Sequence, residues 1–321
     1  MKLCLFLFLC ACGSQVPSSL DEAMNPANNP RRIPGAASEL NAMFHSLPKE
    51  AAVDRLWTGW WWPMSSRGTA YRRWGQKSPM GKYDLATGSS AEQWEIRDSK
   101  VYAHVPWAGH CNGLAAAGIM LEEPKHSVTY RQVLFHVRDI KALLVEMWQG
   151  SGWIIGDKCG ESTLDRHGRI REAECRDLNP GTFHLAITNW LGLFGKSVIV
   201  DMDNSEAVWN YAVASYKVLK SRWMTPAEAA STMHADDTPY IYNQNAVDIV
   251  FVHTEISTIN AGVRRYEYLL ELDADGKVLG GEWYGASKKD HPDFIWRPQD
   301  SKSYNPHLNP DTIMEIYLKS L

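Results

Sequence analysis

The chain has 321 residues, 45% hydrophobic and 22% charged, the balance of a globular protein of about two domains. That balance excludes disorder, collagen and coiled coil. With 33 Lys and Arg against 37 Asp and Glu the formal charge is −4, without the basic excess that phosphate binding needs, so nucleic acid is not an expected partner. The 14 Trp and 13 Tyr suit either a large aromatic core or an aromatic-lined groove for a peptide or sugar.

Met1-Lys2 is a short basic start, and Leu3 to Ala11 is a nine-residue apolar run, too short to span a bilayer but right for a signal-peptide core. Leu9-Cys10-Ala11-Cys12-Gly13-Ser14 resembles a bacterial lipobox, which predicts a leader over residues 1–12 with Cys12 as the lipidation site. An ordinary signal peptide is the alternative, and both export the chain. Residues 13–40 are rich in Pro, Asn and Ser and read as a polar tether. No later stretch is apolar for 18 residues, so membrane contact is expected only through the N-terminal lipid.

A core over residues 41–225 is expected next, and 226–321 reads as a β-rich part of the same fold. Ala51 to Trp62 ends in a tryptophan cluster and suggests a loop or short helices packed by aromatics. Helical patterns follow after Asn112, ended by Pro124, and over Val137 to Gln149, where Ile140, Leu143, Leu144 and Met147 share one face. At Thr182 the period changes to two: Thr182 to Trp190 and Ser197 to Asp203 read as a β-hairpin across LGLFGK. A helix at Pro226 to Met233 precedes strands at Ala246 to Thr254, Tyr266 to Leu272 and Lys277 to Tyr284, the last two joined by Asp273-Ala-Asp-Gly276. That turn lacks the Glu a calcium loop needs, because residue 284 is Tyr284. Helices first and strands later predict an α+β fold.

Outside the leader the cysteines are Cys111, Cys159 and Cys175. In an oxidising compartment Cys159 and Cys175 are expected to pair, closing a loop of about 15 residues worth roughly 3 kcal/mol. Cys111 is then the odd thiol. It stands in Trp107-Ala-Gly109-His-Cys111-Asn-Gly113, where a Gly-bearing loop becomes a helix. A helix N-terminus lowers a thiol pKa, so thiolate at neutral pH is expected, and it offers N–H groups to an oxyanion. Gly109 admits a substrate chain, with Trp107 and Trp60, Trp61 and Trp62 as walls that exclude water. A base and an orienter are needed as well. His184, on the first strand of the expected hairpin, lies opposite Asp201 and Asp203 at the end of the second, and either acid could hold the imidazole. No metal site is expected, since His104, His110 and Cys111 lack metal-ligand spacing.

The order Cys, His, Asp, separated by 73 and 17 residues, is similar to that of the transglutaminase-like superfamily, whereas a papain-type order would need Asn in third place. More closely, PWAGHCNGLAAAGIM, DIKALL, DLNPGTFHLAITN, VDMDNSEAVWNYAVASYKV, LDADGKVLGGEW and HPDFIW resemble the transglutaminase elicitor family of oomycete cell-wall proteins and bacterial relatives. Val208-Trp209-Asn210 with Tyr216-Lys217-Val218 is similar to the surface peptide of that family that plants recognise. The resemblance runs from about residue 57 to 298. It implies a papain- or transglutaminase-like core, its Cys helix packed on an antiparallel sheet bearing His and Asp. It also implies acyl transfer from protein glutamine to a lysine amine. Cys111, His184 and Asp201 or Asp203 fall at the triad positions. The expected partners are therefore proteins or peptides offering Gln and Lys, such as cell-envelope proteins. No cofactor is required by the residues themselves, and the resemblance leaves calcium open. An exported protease, amidase or deamidase would use the same triad, and a non-catalytic envelope lipoprotein is the remaining alternative.

Overall fold

A computed structural model describes residue 28 and residues 40–73, 75–150, 152–157, 163, 171–172, 176–233 and 240–321. The leader, Cys12 and the Cys159–Cys175 pair lie outside these residues. Among the described residues no helix is long and apolar enough to cross a membrane.

The sheet draws strands from the whole chain: β1 (Glu50–Ala52), β4 (Gly152–Gly156), β5 (Ile199–Val200), β6 (Tyr211–Met224), β7 (Asp248–Thr258), β8 (Gly262–Leu272), β9 (Val278–Trp283) and β10 (Phe294–Pro298). Its order is β4-β10-β5-β6-β7-β8-β9 with β1 on the side of β6, every pair antiparallel. β7 and β8 pair without a break from Asp248 opposite Leu272 to Thr258 opposite Gly262. Burial alternates along β7, the mark of a strand with one face on the core. The β8–β9 turn forms as the residues dictate: the Asp273 carboxylate accepts from the amides of Asp275 and Lys277, and Gly276 takes the left-handed conformation at φ 79°.

Helices α1 (Pro79–Thr87), α2 (Ala91–Tyr102), α3 (Cys111–Met120) and α4 (Val137–Met147) pack together with the C-terminal α7 (Pro310–Leu318), beside a small ribbon of β2 (Val128–Tyr130) and β3 (Val133–Phe135). α4 buries the face that its periodicity marks. α3 is squeezed between α4 on one side and β6 and β10 on the other. It can be, because Gly113 lies directly against the Val145 carbonyl and Gly118 against that of Trp57. α6 (Pro226–Met233) forms where expected and caps the far end of β6 and β7. The architecture is α+β, and α3 carries its cysteine against the antiparallel sheet.

Two segments depart from expectation. Ala51 belongs to β1, and the chain after the tryptophan cluster winds into short 3-10 turns at Met64–Ser66 and Gly68–Ala70. More consequentially, Thr182 to Trp190 is no strand. α5 (Pro180–Ile187) starts at Asn179, whose side chain accepts from the Gly181 amide, with Pro180 in the first turn, and continues into a π-helical turn over Thr188–Leu193. All eight residues of α5 are buried, so its sequence is apolar on every side and carries no helical period. β5 pairs with β6 and β10 instead.

Candidate functional site

Cys111 opens α3, with His110 as the preceding cap residue and the Gly109 loop running antiparallel to the tryptophan segment. His110 donates its amide to the Trp61 carbonyl at 2.8 Å, and Met64 donates to that of Ala108 at 2.9 Å. Gly109 must be glycine because a Cβ there would strike the Trp61 ring. Trp61 in turn meets Trp209 edge-on at 5.1 Å. The thiol is thus fixed by a loop clamped to aromatic side chains.

Cys111 lines a cleft of about 570 Å³ together with Trp107, Gly109, Gln149, Val208 and Asn210. The Asn210 side-chain amide donates toward Sγ at 3.6 Å. Its orientation is set from behind, since its carbonyl oxygen accepts from the Trp296 indole at 2.8 Å and so turns the NH₂ to the sulfur. Asp201, buried just past β5, accepts from the Trp209 amide at 3.1 Å and lies close enough for its charge to act on the thiol. Burial pushes the Cys111 thiol up, Asn210 and the Asn112 amide pull against it, and Asp201 adds to the rise. These directions run against the expected thiolate at neutral pH, with desolvation of the buried thiol the leading cause.

His184 is not at this site. It lies buried on α5, where Nδ1 shares a 2.8 Å hydrogen bond with the Tyr268 hydroxyl and the ring packs on Phe44. Burial alone drives its pKa down to about 3, so it stays neutral. The expected pairing with the aspartates fails because the hairpin that would have made it does not exist. The two aspartates also separate. Asp203 turns outward and takes a 3.2 Å ion pair from Arg264, leaving Asp201 as the acid beside Cys111. Trp107 lines the thiol cleft and Trp61 packs against Gly109 beside it, whereas Trp60 and Trp62 line a different cleft.

The transglutaminase elicitor family model matches residues 95–309, two thirds of the chain. The chain belongs to that family. A search of curated proteins returned no match. Among solved structures, the crystal structure of the GP42 transglutaminase from Phytophthora sojae is similar in fold, with a TM-score of 0.73 and 24% identity over 88% of this chain and 94% of that one.

Within this transglutaminase elicitor family protein, Asn210 was not singled out from the sequence for any chemistry, although it falls in the stretch similar to the family's recognised peptide. Equally hidden was a buried cluster behind the thiol. His110 Nε2 faces Glu95 at 2.8 Å and Glu146 at 3.5 Å, Gln149 meets Nδ1, and the Thr69 hydroxyl donates to Glu146 at 2.6 Å. Burial lowers the His110 pKa, but Glu146 and Glu95 more than offset it and hold it up at about 9. Among the described residues these three are the group whose ligand atoms come close enough to hold a cation. A charged imidazole balances one carboxylate there, Glu146 being pushed up to about 8 by burial and by Glu95, and the set lacks the six to eight oxygens of a calcium site. We read it as an internal ion cluster that anchors the Cys111 loop.

Proposed function

We propose that this protein is a protein-glutamine acyltransferase in which Cys111 carries the acyl group. What supports the reading is the orientation of the Asn210 amide toward a free, cleft-lining thiol at the start of α3. Asp201 accepts the thiol proton as sulfur attacks a glutamine γ-carboxamide. The carbonyl oxygen becomes an oxyanion, stabilised by the Asn210 NH₂ and the amides at the helix start. The C–N bond then breaks, Asp201 returns the proton to the leaving nitrogen, ammonia departs and a thioester remains. A lysine amine attacks the thioester, losing its proton to Asp201, and the restored thiol closes the cycle with an isopeptide bond formed.

A raised thiol pKa beside a carboxylate fits this scheme, because the proton rests on sulfur until a substrate excludes water and triggers its transfer. On the expectation of export, the substrates are envelope or secreted proteins offering glutamine and lysine. The deciding experiment is incorporation of a labelled primary amine into a glutamine-bearing protein, with and without calcium, for wild type and Cys111→Ala. Cys111-dependent incorporation is expected. Ammonia release or peptide cleavage without incorporation would make the protein a thiol hydrolase.

A further inference from the structure

A second cleft, of about 760 Å³, opens beside α3. Leu114 forms part of it, three residues on from Cys111 and hence about 4.5 Å further along the helix axis. Trp60, Trp62 and Tyr71 line it in mutual contact, with Trp60 centroids 4.8 Å from Trp62 and 4.9 Å from Tyr71. Trp60 is 39% exposed and Tyr71 36%, so both rings present open surface. Four cationic side chains surround them: Arg73 and Lys77 from the segment before α1, Arg138 and Lys141 from α4. The one acid of the lining, Asp139, is buried and held by Lys82 at 2.5 Å and more loosely by Arg138 at 3.7 Å. Arg138 also donates to the Gln76 side chain at 2.6 Å, and Lys141 pairs with Glu123. A net positive, aromatic-floored cleft has thus formed on a chain whose formal charge is −4.

We propose that this cleft is an exosite that seats an acidic segment of the protein substrate, a few residues from the glutamine presented to Cys111. The proposal rests on the acyltransferase reading above. Its volume lies in the range of about 300–1,000 Å³ typical of ligand sites. Guanidinium groups take carboxylates in bidentate geometry, and the rings receive the apolar stems and aromatic neighbours of such a segment. An extended chain advances about 3.3 Å per residue, and the one-turn offset of Leu114 from Cys111 sets the least span that the peptide must cover past the segment 59–63, which is bridged to Gly109. Local positive potential would also speed capture of acidic substrates in a salt-dependent way.

The test uses the full chain carrying Cys111→Ala, which binds without turnover. Labelled peptides with one glutamine are titrated by fluorescence anisotropy, one bearing three Glu within six residues of it and one with those positions Ser. The acidic peptide should bind at least tenfold tighter, lose that advantage in high salt, and lose at least fivefold with Arg138→Ala or Lys77→Ala, whose circular dichroism should match wild type. In the active protein these variants should raise KM for the acidic peptide. Equal binding of the two peptides, or no effect of either substitution, would overturn the exosite. So would preference for an acidic polysaccharide over the acidic peptide. Acidic-peptide binding without amine transfer would leave the exosite standing and remove the acyltransferase reading, while transfer without acidic preference would do the reverse.

Discussion

At the scale of single residues, the site depends on Asn210 being held in one orientation. Removing its amide with Asn210→Ala should lower kcat for amine incorporation about 10²- to 10³-fold, as loss of an oxyanion donor does, with little change in KM. Trp296→Phe removes the hydrogen bond that turns the amide, so a smaller loss in kcat is expected from an intact Asn210. An unchanged kcat in Asn210→Ala would remove it from the chemistry. The thiol is open to a separate measurement. Because burial and the Asp201 charge both hold its proton on, alkylation by iodoacetamide should be slow at pH 7 and rise at a pH above the ordinary thiol range. Asp201→Asn removes the repulsion and should move that midpoint down. A wild-type midpoint below the ordinary range would mean that the helix terminus prevails over desolvation. Cys111 itself was legible in the sequence because a Gly-flanked cysteine before a helical run is a local pattern. Asn210 was not, because its partner thiol lies 99 residues away.

At the scale of elements, α3 shows how close packing positions the thiol. A Cβ at Gly113 would run into the Val145 carbonyl of α4, backbone that cannot step aside. Gly113→Ala should therefore destabilise the fold by about 1–3 kcal/mol despite the better helix propensity of Ala, measured by denaturant unfolding. Stability equal to wild type would mean that α3 and α4 can separate without cost. α5 shows the limit of periodicity. Thr182 to Trp190 reads as alternating because Phe183, Leu185 and Ile187 are apolar, yet His184 and Ala186 are buried too, and period two is indistinguishable from a helix buried all round. The Asn179-Pro180 start was the local signal that could have decided it. By contrast α4, α6 and the β8–β9 turn were readable, since each carries its own caps, amphipathic face or turn residues.

For the whole molecule, two buried histidines pull stability in opposite directions with pH. His110 is held at about 9 against an ordinary 6.5. Its contribution is fully present below the ordinary value and is lost as pH rises through about 9. His184 lies at about 3, so its contribution is present above the ordinary value and lost as pH falls from there toward 3. Glu146, pushed up to about 8 by burial and Glu95, loses its contribution in the same direction as His110, so thermal unfolding followed from pH 4 to 10 should give a Tm maximum on the acid side of neutral. In His184→Gln the acid-side fall should become shallower, whereas an unchanged acid limb would mean that His184 is not buried neutral.

By itself the sequence determined the α+β class, the helix that begins at Cys111, the strands of the C-terminal part and the family, because each rests on local pattern or on contiguous matching residues. The tertiary structure decided which groups surround the thiol. It moved His184 into the core, turned Asp203 out to Arg264, brought Asn210 and Asp201 to Cys111, and sent Trp60 and Trp62 to a cleft other than that of the thiol. Those outcomes depend on strand order and helix packing between distant segments, where desolvation and close contact outweigh any preference written within a few residues.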